Sequence, residues 1–197
     1  MKIYSLKNIS EKKLDLLFSR PAIESEKVFE IVKPIIADVK KNGLVAALKY
    51  AKRFDGFERN SFTVSKKEFE QAEKLLDRES KKAILTAFRN IEKFHVQQYP
   101  KNYSIETMPG INCSREFRAI ESAGLYIPGG TAVLPSTMLM LGIPARIAGC
   151  KRVVVLSPTK KEINPAVLFA AKICEVNEFY KIGGAHGVAL MAYGDRS

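Results

Sequence analysis

E-S-A-G-L-Y-I-P-G-G-T-A-V-L-P-S-T-M-L-M-L-G-I-P-A-R-I-A-G, residues 121–149, is the stretch around which the chain is organised. Its apolar run Ala123–Ile127 reads as a buried strand. Pro128, Gly129 and Gly130 stop that strand. Adjacent glycines let the backbone take positive φ and leave its amides uncovered by side chains. A helix is expected from Pro135 or Ser136, carrying Met138, Leu139, Leu141 and Ile143. Strand, glycine turn and helix in that order place backbone N–H groups and a positive helix end at one rim. Such a rim suits an anion, for example a dinucleotide phosphate. The G-x-G-x-x-G fingerprint is absent, so a plain βα connection with no ligand stays open on these residues alone.

Downstream the pattern repeats. Arg152–Leu156 is a Val-rich strand closed by Ser157-Pro158, and Asn164 caps a helix with Pro165 in its first turn, running to about Glu175. Glu178–Ile182 is a further strand, followed by Gly183-Gly184 and a helix from Ala185 to about Tyr193. Strand and helix alternating three times imply a parallel sheet with right-handed crossovers. Ligands in such sheets sit beyond the carboxyl ends of the strands, where both glycine pairs fall.

Upstream the chain reads as helical. A short arm covers about Ser10–Arg20, with Leu14, Leu17 and Phe18 on one face, and Pro21 ends it. Val28, Ile31, Val32, Ile35, Ile36 and Val39 recur at the spacing of a buried helical stripe. Fully buried, those six side chains would contribute on the order of 9–18 kcal/mol before entropy. Pro34 should kink that helix or shift its start. Asn42-Gly43 closes it, and a second helix, Leu44–Arg53, ends at Asp55-Gly56. Phe62-Thr63-Val64 is a brief extended piece. Ser65 with Glu68 fits a capping box for a helix from Lys66 to Leu76. A longer helix spans about Ser80–Tyr99, burying Ile84, Leu85, Phe88, Ile91 and Phe94, with His95 beside that face. From Ser104 to Ile120 a β-hairpin is expected around Met108-Pro109-Gly110. The expected organisation is a helical arm at 1–20, the start of a first α/β domain at 21–120 ending in the hairpin, and a truncated Rossmann-like βαβ domain at 121–197. The fold class is α/β: a helix-rich N-terminal part, then an incomplete Rossmann-like parallel sheet with helices on its faces.

Bulk properties narrow the function. The net charge is +11 over 197 residues. Lys and Arg nevertheless lie beside Glu or Asp, as in Glu11-Lys12-Lys13 and Lys66-Lys67-Glu68, and no basic run is interleaved with aromatics. That distribution favours a solvated surface over nucleic-acid binding. No run approaches a membrane span, and M-K-I-Y-S-L-K-N lacks a signal peptide's apolar segment. Cys113, Cys150 and Cys174, without C-x-x-C pairing, point to a reduced, cytoplasmic protein.

G-L-Y-I-P-G-G-T-A (124–132), S-T-M-L-M-L-G-I-P-A-R-I-A-G-C (136–150) and G-G-A-H-G-V-A-L-M-A-Y-G (183–194), with softer echoes in Y-A-K-R-F-D-G (50–56) and F-H-V-Q-Q (94–98), resemble the histidinol dehydrogenase family. The resemblance implies an oxidoreductase of histidine biosynthesis, oxidising L-histidinol to L-histidine by two hydride transfers to NAD. It also implies a zinc ion that holds the substrate, a Glu–His pair for protons, a homodimer, and two incomplete Rossmann-like domains. By the same resemblance Tyr126 contacts NAD, and His186 stands where the family has an NAD-contacting glutamine. An imidazole cannot reproduce both ends of a carboxamide, which puts the affinity for NAD in question. Read from the residues alone, Tyr126 is also consistent with a core strand residue and His186 with a helix-cap residue.

The chain is about half the length such an enzyme needs. The family's zinc ligands, catalytic Glu–His pair and most substrate contacts lie further along. With two histidines in the whole sequence, neither followed by a ligand-spaced partner, no catalytic or metal residue is assigned, since catalytic zinc takes three protein ligands. The expectation is an N-terminal half, inactive alone. The alternatives are a non-catalytic dinucleotide- or partner-binding module, and one part of a split enzyme completed by a separate C-terminal half.

Overall fold

The computed structural model describes residues 4, 6–19, 25–58, 61–129, 134–176 and 178–195. Pro21 and the segment 130–133, on which the arm's end and the second glycine of Pro128-Gly129-Gly130 fall, lie outside the described residues. Two compact units are present, Met1–Pro34 and Ile35–Ser197.

In the first unit, α1 (Glu11–Phe18) realises the expected arm without burying a residue. A second helical element, α2 (Ser25–Tyr50), begins here and continues past Pro34. The expected buried stripe fails over its first turns: Val28 is 52% and Ile31 66% exposed. Periodicity shows which side chains share a face; it cannot show whether anything covers that face. Pro34 sits within helix, whereas the break comes at Gly43 (φ 52, ψ −130). That conformation excludes most side chains, so the glycine punctuates the helix and the proline does not.

In the second unit the covered half of that stripe is buried, at Ile35 and Val39. A π-helical turn, Ala51–Asp55, follows α2 and is capped by left-handed Gly56, whose N–H donates to the Ala51 carbonyl. Ser65 and Glu68 form the capping box of α3 (Lys66–Leu75). Asp77 caps α4 (Arg78–Val96) by accepting from the Ser80 amide. β1 (Tyr103–Met108) and β2 (Ile111–Arg115) pair antiparallel around Pro109-Gly110, and every residue in both strands is exposed.

β3 (Ser122–Tyr126), α5 (Pro135–Ile147), β4 (Arg152–Leu156), α6 (Pro165–Ile173), β5 (Glu178–Tyr180) and α7 (Gly184–Tyr193) then alternate. The strands form a parallel sheet in the order β3-β4-β5. Alternation along each strand divides the core. Leu125, Val155 and Phe179 point to one face, against Met138, Leu139 and Ile143 of α5, residues 167–171 of α6, Ala72 of α3 and Ile84 of α4. Leu156 and Ile182 point to the other, with Ala47, Ala51, Phe57 and Phe62, backed by Leu190 and Met191 of α7. The extended piece at 62–64 closes the outer edge of β5: the Val64 amide donates to the Phe179 carbonyl (2.8 Å) and the Lys181 amide to the Phe62 carbonyl (2.7 Å). This is the expected helix-rich α/β architecture, with an incomplete parallel sheet.

Candidate functional site

The carboxyl ends of β3, β4 and β5 deliver three turns to one rim. The Ile127 amide donates to the Leu156 carbonyl (2.8 Å), and the Ser157 amide to the Tyr180 carbonyl (3.0 Å), so the turns leave the sheet in register. Pro158 is their common contact. A methyl on Gly129 would lie 2.3 Å from the Pro158 carbonyl oxygen, and one on Gly183 would lie 2.6 Å from the Pro158 ring. Neither glycine has positive φ, whereas Gly184 does (φ 60). The expected backbone freedom therefore applies at Gly184. At Gly129 and Gly183 the requirement is close approach to another turn.

A cleft of about 120 Å³ lies at this rim, lined by Gly129, Leu134, Ser157, Thr159, Glu162 and Asn164 among others. Three helices start beside the strand ends. Asn164 Oδ1 accepts from the Ala166 amide (2.9 Å) at α6, while α5 and α7 begin without a side-chain cap. The first N–H groups of α7 keep a partial positive charge available to an anion, whereas α5 opens on Pro135, which has no N–H, and its Thr137 amide donates to the Leu134 carbonyl (3.1 Å).

Tyr126 ends β3 and is 37% exposed. Its neighbours in register, Leu156 and Tyr180, lie on the same face. His186, in the first turn of α7, is 2% exposed. Its Nε2 lies 3.2 Å from Asp55 Oδ2, and its ring is tilted against Tyr50 and Phe54 at centroid distances of 6.3 and 6.1 Å. Burial lowers its pKa from the ordinary 6.5, and Asp55 opposes that shift. The imidazole is directed at the turn after α2, and neither Tyr126 nor His186 lines the 120 Å³ cleft.

A buried cation stands behind the rim. Lys181 is 2% exposed; its ammonium donates to Glu68 and lies 3.5 Å from Glu162 Oε2. Glu68 also accepts from the Ser65 amide (2.8 Å) and hydroxyl (3.0 Å). Burial pushes the Glu68 carboxyl up, but Lys181 and Ser65 outweigh it and hold it at about 2. Asp55, Glu68, Pro158 and Lys181 were not singled out from sequence as parts of one site. They lie in separate segments, and no local spacing announces their meeting.

Among the described residues no group of three or more His, Cys, Asp and Glu side chains is placed to hold a metal ion. Burial pushes the Cys174 thiol up to about 12, which disfavours thiolate ligation there. These residues do not fit a catalytic zinc site. For a dinucleotide the fit is partial. Exposed Tyr126 and the uncapped start of α7 suit a ring and a phosphate. The cleft, however, is far below the roughly 300–1,000 Å³ of ligand pockets, so among the described residues the rim is a shelf.

A family model described as histidinol dehydrogenase matches residues 18–197. The chain belongs to the histidinol dehydrogenase family. The histidinol dehydrogenase of Campylobacter jejuni (strain RM1221) is 45% identical over 198 residues, covering 100% of this chain and 46% of that protein. That of Vibrio parahaemolyticus is 44% identical over 191 residues, covering 96% and 44%. The crystal structure of histidinol dehydrogenase from Elizabethkingia anophelis superposes with a TM-score of 0.86 at 39% identity, covering 96% of this chain and 44% of that one. The chain thus spans about half the length of the histidinol dehydrogenases it matches, and corresponds to their N-terminal half. Among the described residues, no helix is long and apolar enough to cross a membrane.

Proposed function

We propose that this chain forms the nucleotide-side half of a histidinol dehydrogenase, an NAD-dependent enzyme that oxidises L-histidinol to L-histidine in the cytoplasm. The observation that carries the reading is family membership along residues 18–197 combined with coverage of under half of each relative. The carboxyl rim supports the cofactor side. Tyr126 would lie against NAD, and the first turn of α7 would face a phosphate. His186 is the second proposed cofactor residue, and it reaches a ligand only when its ring gives up Asp55. The zinc ligands and the Glu–His proton pair belong, in this reading, to the C-terminal half, which also supplies most substrate contacts. The domain division at 21–120 and 121–197 and a homodimeric assembly are part of the same proposal. A second reading, a dinucleotide- or partner-binding module without turnover of its own, is compatible with the finding that no three metal donors gather among the described residues.

The test is NADH formation from L-histidinol with zinc present. The chain alone should give none. Co-expressed with the C-terminal half of the Campylobacter jejuni enzyme, it should give turnover. Turnover by the purified chain alone would overturn the proposal, and a co-purifying but inactive pair would favour the second reading.

A further inference from the structure

The first turn of α7 is supported from behind by two rings. Gly183 lies against the Pro158 ring, and Gly184 lies against the His186 ring, where a methyl group would stand 3.1 Å from Cε1 and Nδ1. The first bond of the α7 ladder runs from the Gly187 amide to the Gly183 carbonyl (2.9 Å). Gly184, Ala185 and His186 therefore carry the amides that precede the ladder, at a helix start with no side-chain cap.

The exit of α2 fixes the His186 ring in turn. Asp55 is the last residue of the π-helical turn, and its Oδ2 lies 3.2 Å from Nε2. A carboxylate accepts, so Nε2 carries the ring hydrogen and Nδ1, beside Gly184, carries the lone pair. Tyr50 and Phe54 stack on each other at 5.7 Å and flank the imidazole. The Tyr50 hydroxyl donates to Asp38 Oδ2 (2.9 Å), and Asp38 also accepts from Asn42 and Lys49. Without Asp55 the N–H of a ring that is 2% exposed would lose its acceptor, a cost that favours turning the ring out. Gly184 would then lose its backing. Asp55 itself is not among the residues that line the rim cleft.

We propose that Asp55 is a positioning residue for the nucleotide: it holds the His186 ring under Gly184 and so aims the amides of the first turn of α7 at a phosphate it does not touch. The inference rests on the function proposed above. While Asp55 holds the ring, His186 acts through Gly184 and not by a contact of its own.

The experiment is a titration of the chain with NAD, followed by NMR at the Gly184 and Ala185 amides and at the imidazole nitrogens. Two histidines in the chain keep the ring signals assignable. In the parent, His186 should be the Nε2–H tautomer. Asp55→Ala should abolish that preference and weaken NAD about tenfold, the size of one lost hydrogen bond. Asp55→Asn, whose carboxamide oxygen still accepts, should stay within about twofold of the parent, a rescue that a general loss of stability would not give. His186→Phe keeps a packed ring without the bond; it should also lose about tenfold, and adding Asp55→Ala to it should cost nothing more. Parent affinity in either Asp55→Ala or His186→Phe, with Tyr126→Ala weakened, would overturn the inference and leave the nucleotide-side reading standing. No NAD-dependent shift at these amides in the parent would overturn both.

Discussion

Gly129 and Gly183 differ in what an added methyl group would meet. At Gly129 it is the Pro158 backbone oxygen, and at Gly183 the Pro158 ring. A ring shifts more easily than a main-chain carbonyl held by its neighbours. Gly129→Ala should therefore lose more stability than Gly183→Ala, within about 1–3 kcal/mol for each, as urea midpoints would measure. Equal stability to the parent would remove the three-turn contact from the account. His186 supplies a second test at this scale. Its folded pKa lies below its ordinary 6.5, with burial as the leading cause. The unfolded chain then binds the proton more readily, so the contribution is present above pH 6.5 and is lost as pH falls below it. His186→Gln should flatten that acid-side loss when unfolding midpoints are compared with the parent across pH 7 to 5. Parallel profiles would contradict the assignment of the buried ring.

At the scale of elements, Lys181 ties the exit of β5 to the start of α3 and to the segment before α6 through Glu68 and Glu162. Removing Glu68 leaves the buried Lys181 ammonium with the more distant Glu162 carboxylate, whereas removing the cation leaves a Glu68 carboxylate that keeps its two Ser65 donors and a partly exposed edge, and it is the buried stranded charge that costs most. Glu68→Ala should thus destabilise the chain by about 3 kcal/mol, a loss that includes the capping box, while Lys181→Met should cost much less in the same denaturant titration. The Glu68 carboxyl titrates at about 2 against an ordinary 4.5. Its contribution is complete above pH 4.5 and drains away as pH falls toward 2. Most elements were legible in the sequence. Ser65 and Glu68 announced α3, Asn164-Pro165 announced α6, Pro109-Gly110 announced the hairpin, and the Val-rich run gave β4. Each signal is local, spanning a few residues. The rest was hidden because it depends on distance in the fold. Asp55 meets His186 across 131 positions. Likewise Pro158 meets two glycines from other turns, and Val39 is buried whereas Val28 is exposed.

For the whole molecule, the sheet organises the packing. Its first face is covered by four helices, and its second in part by α7 and the latter part of α2, which leave Tyr126 exposed and a cavity of about 390 Å³ beside Leu156 and Tyr180. At the rim, Tyr126 ends β3 beside that strand's outer edge, which is unpaired among the described residues, and α7 starts after the turn that leaves β5. The family resemblance carried by residues 124–132 and 183–194 pointed to Tyr126 and His186 as proposed cofactor residues, and gave no sign that His186 would turn to Asp55. The reconstituted pair allows the direct test, steady-state kinetics of Tyr126→Ala with both substrates varied. A lost aromatic contact corresponds to about a two- to tenfold rise in KM for NAD, with KM for L-histidinol unchanged. An unchanged KM for NAD, or a rise confined to L-histidinol, would contradict the placement of the nucleotide on this half.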